Sequence, residues 1–531
     1  MDTVTSITSS HPILLVLGSV ATYVLAACVY NLWFHPLRHI PGPWYCAISP
    51  LYLAFKDKQF VKAYVVHDLL QRYGGIVRIE PNQVAFLDQS AVRLAYGGST
   101  KFQKSTFYKA LKCNDIDNAM TILEPALHAV RRRAYAPHYT PTNLSLYQPE
   151  IHEFVNVLLD KMCQRNGKAP FDCLVMFRRF SIDNIFAASY GQRFDALKQW
   201  DIVNDTEDPA AKLSQAINLF PIRGVTKASV PKFVWGLISR IPISAWQSLV
   251  NSDREISEYV IKARDNIIAN DPHFKATGEI ERNHLGDERL SLMHRLLRQS
   301  LHAKPEDKLS DADIISEATS HTLAGVDTTS TVLSYMCYTL ATHPDVLAKL
   351  RAEIDPLMPH DSEGGNRRVP DISVLNKLPY LNAFVKESLR VFTAGPSLLE
   401  RIVPSKLDGP FFINGYEIPA GTIVATQSYS AHRVAEVFPE PDTFKLERWF
   451  EETDEMRSHM MPFGTGQRLC GGLNLAHLTL RITLTAIVRN MDIVAPPETT
   501  PASMEQRFAF VLLPAGQKVS LVFKPRLDSI P

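Results

Sequence analysis

The ten residues Phe463-Gly464-Thr465-Gly466-Gln467-Arg468-Leu469-Cys470-Gly471-Gly472 constrain this chain more than any other stretch. One cysteine sits in a glycine-rich loop, an arginine lies two residues before it, and an apolar helical pattern starts just after it. Glycines let the backbone come close to a flat ligand. A helix beginning past Gly472 points its positive end at Cys470, which lowers the thiol pKa and favours the anion a metal needs. The free N–H groups of that helix start can hydrogen-bond the sulfur. Arg468 is placed to meet a carboxylate. The plainer reading is a buried free thiol in a glycine-rich turn.

Upstream, Ser310-Asp311-Ala312-Asp313 reads as a capping box that opens a long helix running to about Thr342. At its centre lies Ala324-Gly325-Val326-Asp327-Thr328-Thr329. Glycine inside a helix costs roughly 1 kcal/mol against alanine, so Gly325 needs a reason. Without a side chain it leaves room for a small molecule beside the backbone. The Thr328 hydroxyl can turn to the carbonyl four residues back, at Ala324, and open the local ladder. Asp327, next to it, can feed protons through water. By itself such a segment is usually structural. Glu387-Ser388-Leu389-Arg390 puts an acid and a base three residues apart on one helix face, which alone is a common surface pair.

Together these segments resemble the cytochrome P-450 family. The loop is similar to its haem-binding pattern Phe-x-x-Gly-x-Arg-x-Cys-x-Gly, with every fixed position filled by Phe463, Gly466, Arg468, Cys470 and Gly472. The helix centre is similar to its Ala/Gly-Gly-x-Asp/Glu-Thr segment, and Glu387 with Arg390 to its Glu-x-x-Arg, whose third member is an arginine in a later loop, here Arg448. The resemblance implies haem b with Cys470 as axial ligand of its iron, and Arg468 and Arg132 on a propionate with Arg401 on the other. It implies Asp327 and Thr328 as a proton relay, since cleaving dioxygen consumes two protons at its outer atom. Glu387, Arg390 and Arg448 become scaffolding for the haem pocket. The family's Trp-x-x-x-Arg is not kept: His128 stands in the tryptophan position, which leaves its role open. Arg131 and Arg133 are either a solvated face or a basic landing patch for an acidic flavoprotein.

The implied fold is mainly α with minor β, a single large haem domain with small sheets. The implied activity is a monooxygenase that inserts one oxygen atom of O2 into a C–H bond or alkene of a lipophilic small molecule, as a tailoring step of fungal secondary metabolism. A terpenoid, a polyketide or an alkaloid would suit it. No flavin- or dinucleotide-binding segment is visible, so the electrons are expected from NADPH through a separate NADPH–cytochrome P-450 reductase. Pocket walls are expected at residues 107–121, 316–322, 393–399 and 509–513, largely apolar with a few hydroxyls. One rival is a haem-thiolate isomerase or dehydratase that needs no external electrons, against which Asp327-Thr328 argues. Another is a non-catalytic haem or lipid carrier.

The N-terminus sets the address. Residues 13–34 contain no Asp, Glu, Lys or Arg. At about 1.5 Å per residue the run spans roughly 33 Å, enough to cross a bilayer core. Tyr23, Tyr30, Trp33 and Phe34 crowd toward one end, as interfacial aromatics do. Asp2 precedes the run and Arg38 and His39 follow it, which favours a main domain in the cytosol. A cleaved signal peptide would need a basic n-region and a shorter core. Leu25-Ala26-Ala27-Cys28 resembles a lipoprotein box, but lies deep inside the run. The expected order is a lumenal tail at 1–12, an anchor at 13–34, a proline-rich, stiff and non-helical hinge at 35–45, and the haem-thiolate domain at 46–531, held on the endoplasmic-reticulum membrane.

Composition agrees with a globular body: of 531 residues 46% are hydrophobic and 21% charged. Fifty-six Lys and Arg against 55 Asp and Glu leave a net charge of +1, which points to no nucleic-acid partner. Seven scattered cysteines without Cys-x-x-Cys spacing exclude a disulfide framework or zinc site and fit a reducing compartment. Residues 74–87 read as a hairpin and 355–370 as a loop. The final strands are expected at 508–513 and 518–524. The apolar stretch 216–242 is either a membrane-dipping rim beside a substrate entrance or a buried helix pair.

Overall fold

A computed structural model describes residues 12–98, 101–202, 207–270, 290–359 and 367–526. The elements that position the site are, in chain order, helix α1 (Pro12–Val29), strands β1 (Ile76–Glu80), β2 (Gln83–Phe86) and β3 (Gln103–Lys104), and helices α2 (Pro125–Tyr135), α3 (Cys173–Tyr190), α4 (Pro209–Ala228), α5 (Asp311–Thr342) and α6 (Pro379–Val391). Strands β4 (Leu398–Ile402) and β5 (Ile423–Gln427), helix α7 (Leu473–Asn490) and strands β6 (Gln506–Ala509) and β7 (Val511–Pro514) complete the set. The expected hairpin is β1 and β2, antiparallel from Ile76 opposite Phe86 to Glu80 opposite Gln83. It belongs to a mixed five-stranded sheet of order β1-β2-β5-β4-β3.

The core is helical. Helix α5 starts on the expected capping box: Ser310 Oγ receives the Asp313 N–H at 3.1 Å, and Asp313 receives the Ser310 N–H at 3.0 Å. Helix α3 is buried almost along its entire length, Arg178, Arg179 and Asp183 included. It runs antiparallel against α5: Tyr190 Oη sits 2.6 Å from Thr322 Oγ1, Ile185 lies on Gly325, and Arg178 pairs with Asp327. A helix enclosed on all sides is a core helix, and its charges must be paired inside the protein.

Three expectations change. The proline-rich segment is not free of helix: Pro36–His39 form a 3-10 turn capped by His35, whose Nδ1 receives the Leu37 N–H at 3.1 Å. Proline suits a first helical position because the missing N–H would be unpaired there anyway. Just before it the helix widens into a π turn at Tyr30–Phe34, and Arg78 donates from Nη1 to Asn31 O at 2.9 Å and from Nη2 to Pro81 O at 2.7 Å. The strand expected at 508–513 is two strands, β6 and β7, which reverse at Phe510 with φ +66°. Ser397 Oγ donates to Phe510 O at 3.2 Å and holds that left-handed residue in place. The segment at 216–242 divides. Helix α4 buries Ile217, Phe220 and Val225, whereas Phe233, Leu237, Ile241 and Ile243 beyond it are exposed. Of the expected loop at 355–370, Asp355–Leu357 form one 3-10 turn, and 360–366 lie outside the described residues, as do 1–11 of the expected tail.

Candidate functional site

A cavity of about 360 Å³ lies between α5, α2, β4, the reversal at Phe510 and the loop before α7. Phe463, Arg468 and Cys470 line it. The loop is held open by its backbone: Gly464 N donates to Met461 O at 3.0 Å, Leu469 N to Gly466 O at 3.0 Å, and Cys470 N to Phe463 O at 2.9 Å. Gly466 has φ +67°, and a Cβ there would stand 1.6 Å from Tyr96 O, so no other residue fits. Cys470 is exposed and lines the cavity. Burial pushes its thiol pKa up, against the N–H groups of Gly472 and Leu473 and the charge of Arg132. The expected N–H groups do reach the sulfur. Their effect is smaller than desolvation, so the net direction is opposite to the one anticipated.

Cations gather on the same cavity. Arg132 Nη1 donates to Leu469 O at 2.7 Å, and Arg468 donates from Nη1 to Ile122 O and from Nη2 to Leu123 O, both at 2.8 Å. Arg401 Nη1 donates to Glu400 O at 2.8 Å, and its guanidinium lies 4.7 Å from the Tyr96 ring centre. Lys104 Nζ donates to Met120 O at 2.6 Å and stands over the Tyr108 ring. Burial pulls the Arg468 pKa down to about 10, with Arg401 adding to it, and holds Lys104 well below the usual lysine range. His128 is driven down to about 3 by burial and by Arg468, so it is neutral. The one carboxylate among the described lining residues, Glu317, is taken by the Ala119 N–H at 3.0 Å and by His321 at 3.3 Å. A ring of basic groups, buried at Lys104 and Arg401 and half-buried at Arg132 and Arg468, whose hydrogen bonds go to carbonyls favours an anionic guest.

The acid and the alcohol of α5 are separated. Thr328 lines the cavity, and its Oγ1 donates to Ala324 O at 2.7 Å. Asp327 is turned away: it is buried, and Arg178 Nη2 and Nε donate to its Oδ1 at 2.9 and 3.2 Å. Arg178 Nη2 also reaches Asn218 Oδ1 at 2.7 Å. Gly325 lines the cavity with Ala324 and Thr328, and it also packs against α3. A Cβ there would stand 2.2 Å from Ile185 Cδ1, so α3 occupies the direction a side chain would take. The residue permits close helix packing.

Glu387, Arg390 and Arg448 form a second centre behind the loop. Glu387 is fully buried and accepts from Arg390 Nε and Nη2 at 2.9 and 2.8 Å, Lys445 N at 2.9 Å, Arg448 Nε at 3.2 Å and Trp449 Nε1 at 2.9 Å. Arg390 Nη1 donates to His432 O, and His432 Nδ1 lies 3.0 Å from Arg390 O while its Nε2 accepts the Met461 N–H at 2.9 Å. The cluster thus runs through one histidine into the backbone that leads to Phe463.

Residues 41–521 match the cytochrome P450 family. The chain belongs to the cytochrome P450 family. It is 28% identical over 466 residues to the cytochrome P450 monooxygenase stcB of Emericella nidulans, covering 86% of this chain and 82% of that one. It is 28% identical over 504 residues to the cytochrome P450 monooxygenase SAT11 of Stachybotrys chartarum, covering 92% and 89%. With the averantin hydroxylase of Dothistroma septosporum it shares 27% over 485 residues, 90% of this chain and 84% of the other. This P450 is therefore an oxygenase that takes a substrate, O2 and electrons from a redox partner, and the family brings haem b with NADPH as electron source. Its residues fit that cofactor: a thiol at one wall, a glycine loop with no space for a side chain at Gly466, and a ring of basic groups suited to two propionates.

All four expected wall segments of this P450 contribute, through Tyr108, Ala119 and Met120, through Glu317, Ser320 and His321, through residues from Ala394 to Leu399, and through Phe510. Sequence reasoning missed Lys104, Tyr135, Tyr139 and the α3 residues Ser181, Asn184 and Ile185. The available signal for α3 was its pair Arg178-Arg179, with Asp183, inside a largely apolar run.

Proposed function

We propose that Cys470 would hold the haem iron through its sulfur in a membrane-anchored tailoring monooxygenase of fungal secondary metabolism. The observation that carries this is the Cys470 side chain on the wall of a cavity ringed by Lys104, Arg132, Arg401 and Arg468. Arg132, Arg401 and Arg468 take the propionates, the neutral His128 packs beside them, and Phe463 shields the sulfur side. Haem, once bound, supplies the dioxygen and C–H chemistry. Thr328 delivers protons from the cavity wall, and Asp327 backs it from behind α5. Glu387, Arg390 and Arg448 hold the loop.

Residues 13–34 anchor the protein in the endoplasmic-reticulum membrane, residues 35–45 act as the hinge, and the domain from 46 onward faces the cytosol. The helix at Leu14–Phe34, with mean hydropathy 1.8 and no burial, supports this. The exposed Phe233, Leu237 and Ile243 support a rim dipping into the same membrane. Electrons arrive from NADPH–cytochrome P-450 reductase, for which Arg133 on the exposed face of α2 is a landing point. The substrate is a lipophilic secondary metabolite, in keeping with a cavity walled by Val332, Leu389, Leu398 and Phe510.

Two measurements test this. Reduced protein exposed to carbon monoxide gives the red-shifted Soret band of a sulfur-ligated porphyrin, and Cys470→Ser loses it. A normal band in Cys470→Ser overturns the assignment. Thr328→Ala, assayed in microsomes fed candidate intermediates, consumes NADPH but diverts it from product; unchanged coupling favours an isomerase that needs no protons from this residue.

A further inference from the structure

We propose that Ser181 and Asn184 of α3 hold an ordered water that links the Asp327–Arg178 pair to Thr328. They are positioning residues for proton supply. This rests on the reading of Thr328 as the proton donor. Asp327 by itself has no path to the cavity, because its carboxylate faces Arg178 and is absent from the wall that Thr328 lines.

Ser181 and Asn184 lie on that wall. They are 2% and 5% exposed, and Ser181 Oγ and Asn184 Oδ1 have no hydrogen-bond partner, although Asn184 Nδ2 donates to Phe180 O at 2.8 Å. An unpaired buried oxygen costs about 1–3 kcal/mol, which a bridging water recovers if it finds two or more polar partners.

Placement on the helix supplies those partners. Between the contact of Ile185 with Gly325 and the pairing of Arg178 with Asp327, the antiparallel α3 carries Ser181 and Asn184 past the middle of α5. Ser181 is about 4.5 Å along the axis from Arg178, and Asn184 about 9 Å. Arg178, Ser181 and Ile185, spaced by three and four, share the face turned to α5. A water between Ser181 Oγ and Asn184 Oδ1 would stand between the acid and the alcohol. It gives a proton to Thr328 Oγ1 as Thr328 releases its own toward the cavity, and is itself reprotonated by solvent water that the Asp327–Arg178 pair orients, so no side chain changes charge over the cycle and solvent supplies the proton consumed.

The test is a crystal structure of the haem-loaded protein at a resolution that shows waters, beside coupling measured with reductase, NADPH and 7-ethoxycoumarin as probe substrate. A water within hydrogen-bond distance of both Ser181 Oγ and Asn184 Oδ1 is expected, and it is lost in Ser181→Ala/Asn184→Leu. In that variant NADPH use stays within about twofold while product per NADPH falls about tenfold, hydrogen peroxide accounts for the difference, and the solvent deuterium isotope effect rises. Ser181→Thr, which keeps the hydroxyl, stays coupled. A dry site in the parent protein overturns the inference even if no variant folds. A coupled double variant beside an uncoupled Thr328→Ala overturns it and leaves the Thr328 reading standing. A coupled Thr328→Ala removes the reading itself and, with it, this inference.

Discussion

Protonating His432 would place a second hydrogen on Nε2, where the Met461 N–H already points, in a fully buried site. Burial accordingly holds its pKa near 3, far below the usual 6.5. In the unfolded chain the ring takes its proton near 6.5, so between those values the unfolded state binds more protons than the folded one. The stabilisation is complete above pH 6.5 and is lost as pH falls toward 3. By pH 5 His432 alone costs about 2 kcal/mol. Urea unfolding at pH 7 and pH 5 measures it, and His432→Asn should shrink the difference between the two pH values by about that amount. Burial also lowers His128 and His138 to about 3 and His477 to about 4, so a shallower loss in the same direction persists in the variant. At this scale the loop from Phe463 to Gly472 was legible in the sequence, because glycine and cysteine are chemically singular. The partner of Asp327 was not, because Arg178 is 149 residues away and only the fold brings it near.

At the scale of elements, the contact of α3 with α5 decides how α5 presents Thr328. Gly325→Ala drives a methyl into Ile185 Cδ1. We expect a loss of about 1–3 kcal/mol, as for other overpacked cores, and recovery of most of it in Gly325→Ala/Ile185→Ala, read by urea unfolding of both variants. If both lose equally, backbone strain and not the side-chain clash governs this glycine. The sequence showed α5 well, through its cap and its length. It hid the role of α3, because a helix buried on all sides has no apolar face to read. It also hid the turn at Phe510, because a non-glycine residue with φ near +66° follows no turn signature. Both omissions fall on the cavity wall.

At the scale of the molecule, α1 and the exposed apolar residues after α4 call for the same environment. Trp44, Leu51 and Phe55 are exposed as well, and the helix Leu51–Lys58 packs on α4, from which the segment with Phe233 and Leu237 continues. A protein lacking residues 1–34 should therefore still float with phosphatidylcholine vesicles, and Phe233→Asp/Leu237→Asp should weaken that binding about tenfold or more, with unfolding midpoints unchanged. Equal flotation of the two forms would mean that the patch is bystander surface. The overall helical class could be read from long apolar periodicities, whereas the five-stranded sheet, with β2 and β5 parallel across hundreds of residues, left no local mark.

Arg78 gives this arrangement its last property. Its guanidinium grips the carbonyl of Asn31 in the widened turn at the end of the apolar helix and the carbonyl of Pro81 in the sheet hairpin, and the backbone N–H of the same residue takes Pro41 O. These bonds tie the end of the apolar helix to the sheet of the catalytic body. If α1 crosses a bilayer as proposed above, a tilt of that helix would reach the body through Arg78, and lipid thickness would bear on how deep the doorway sits.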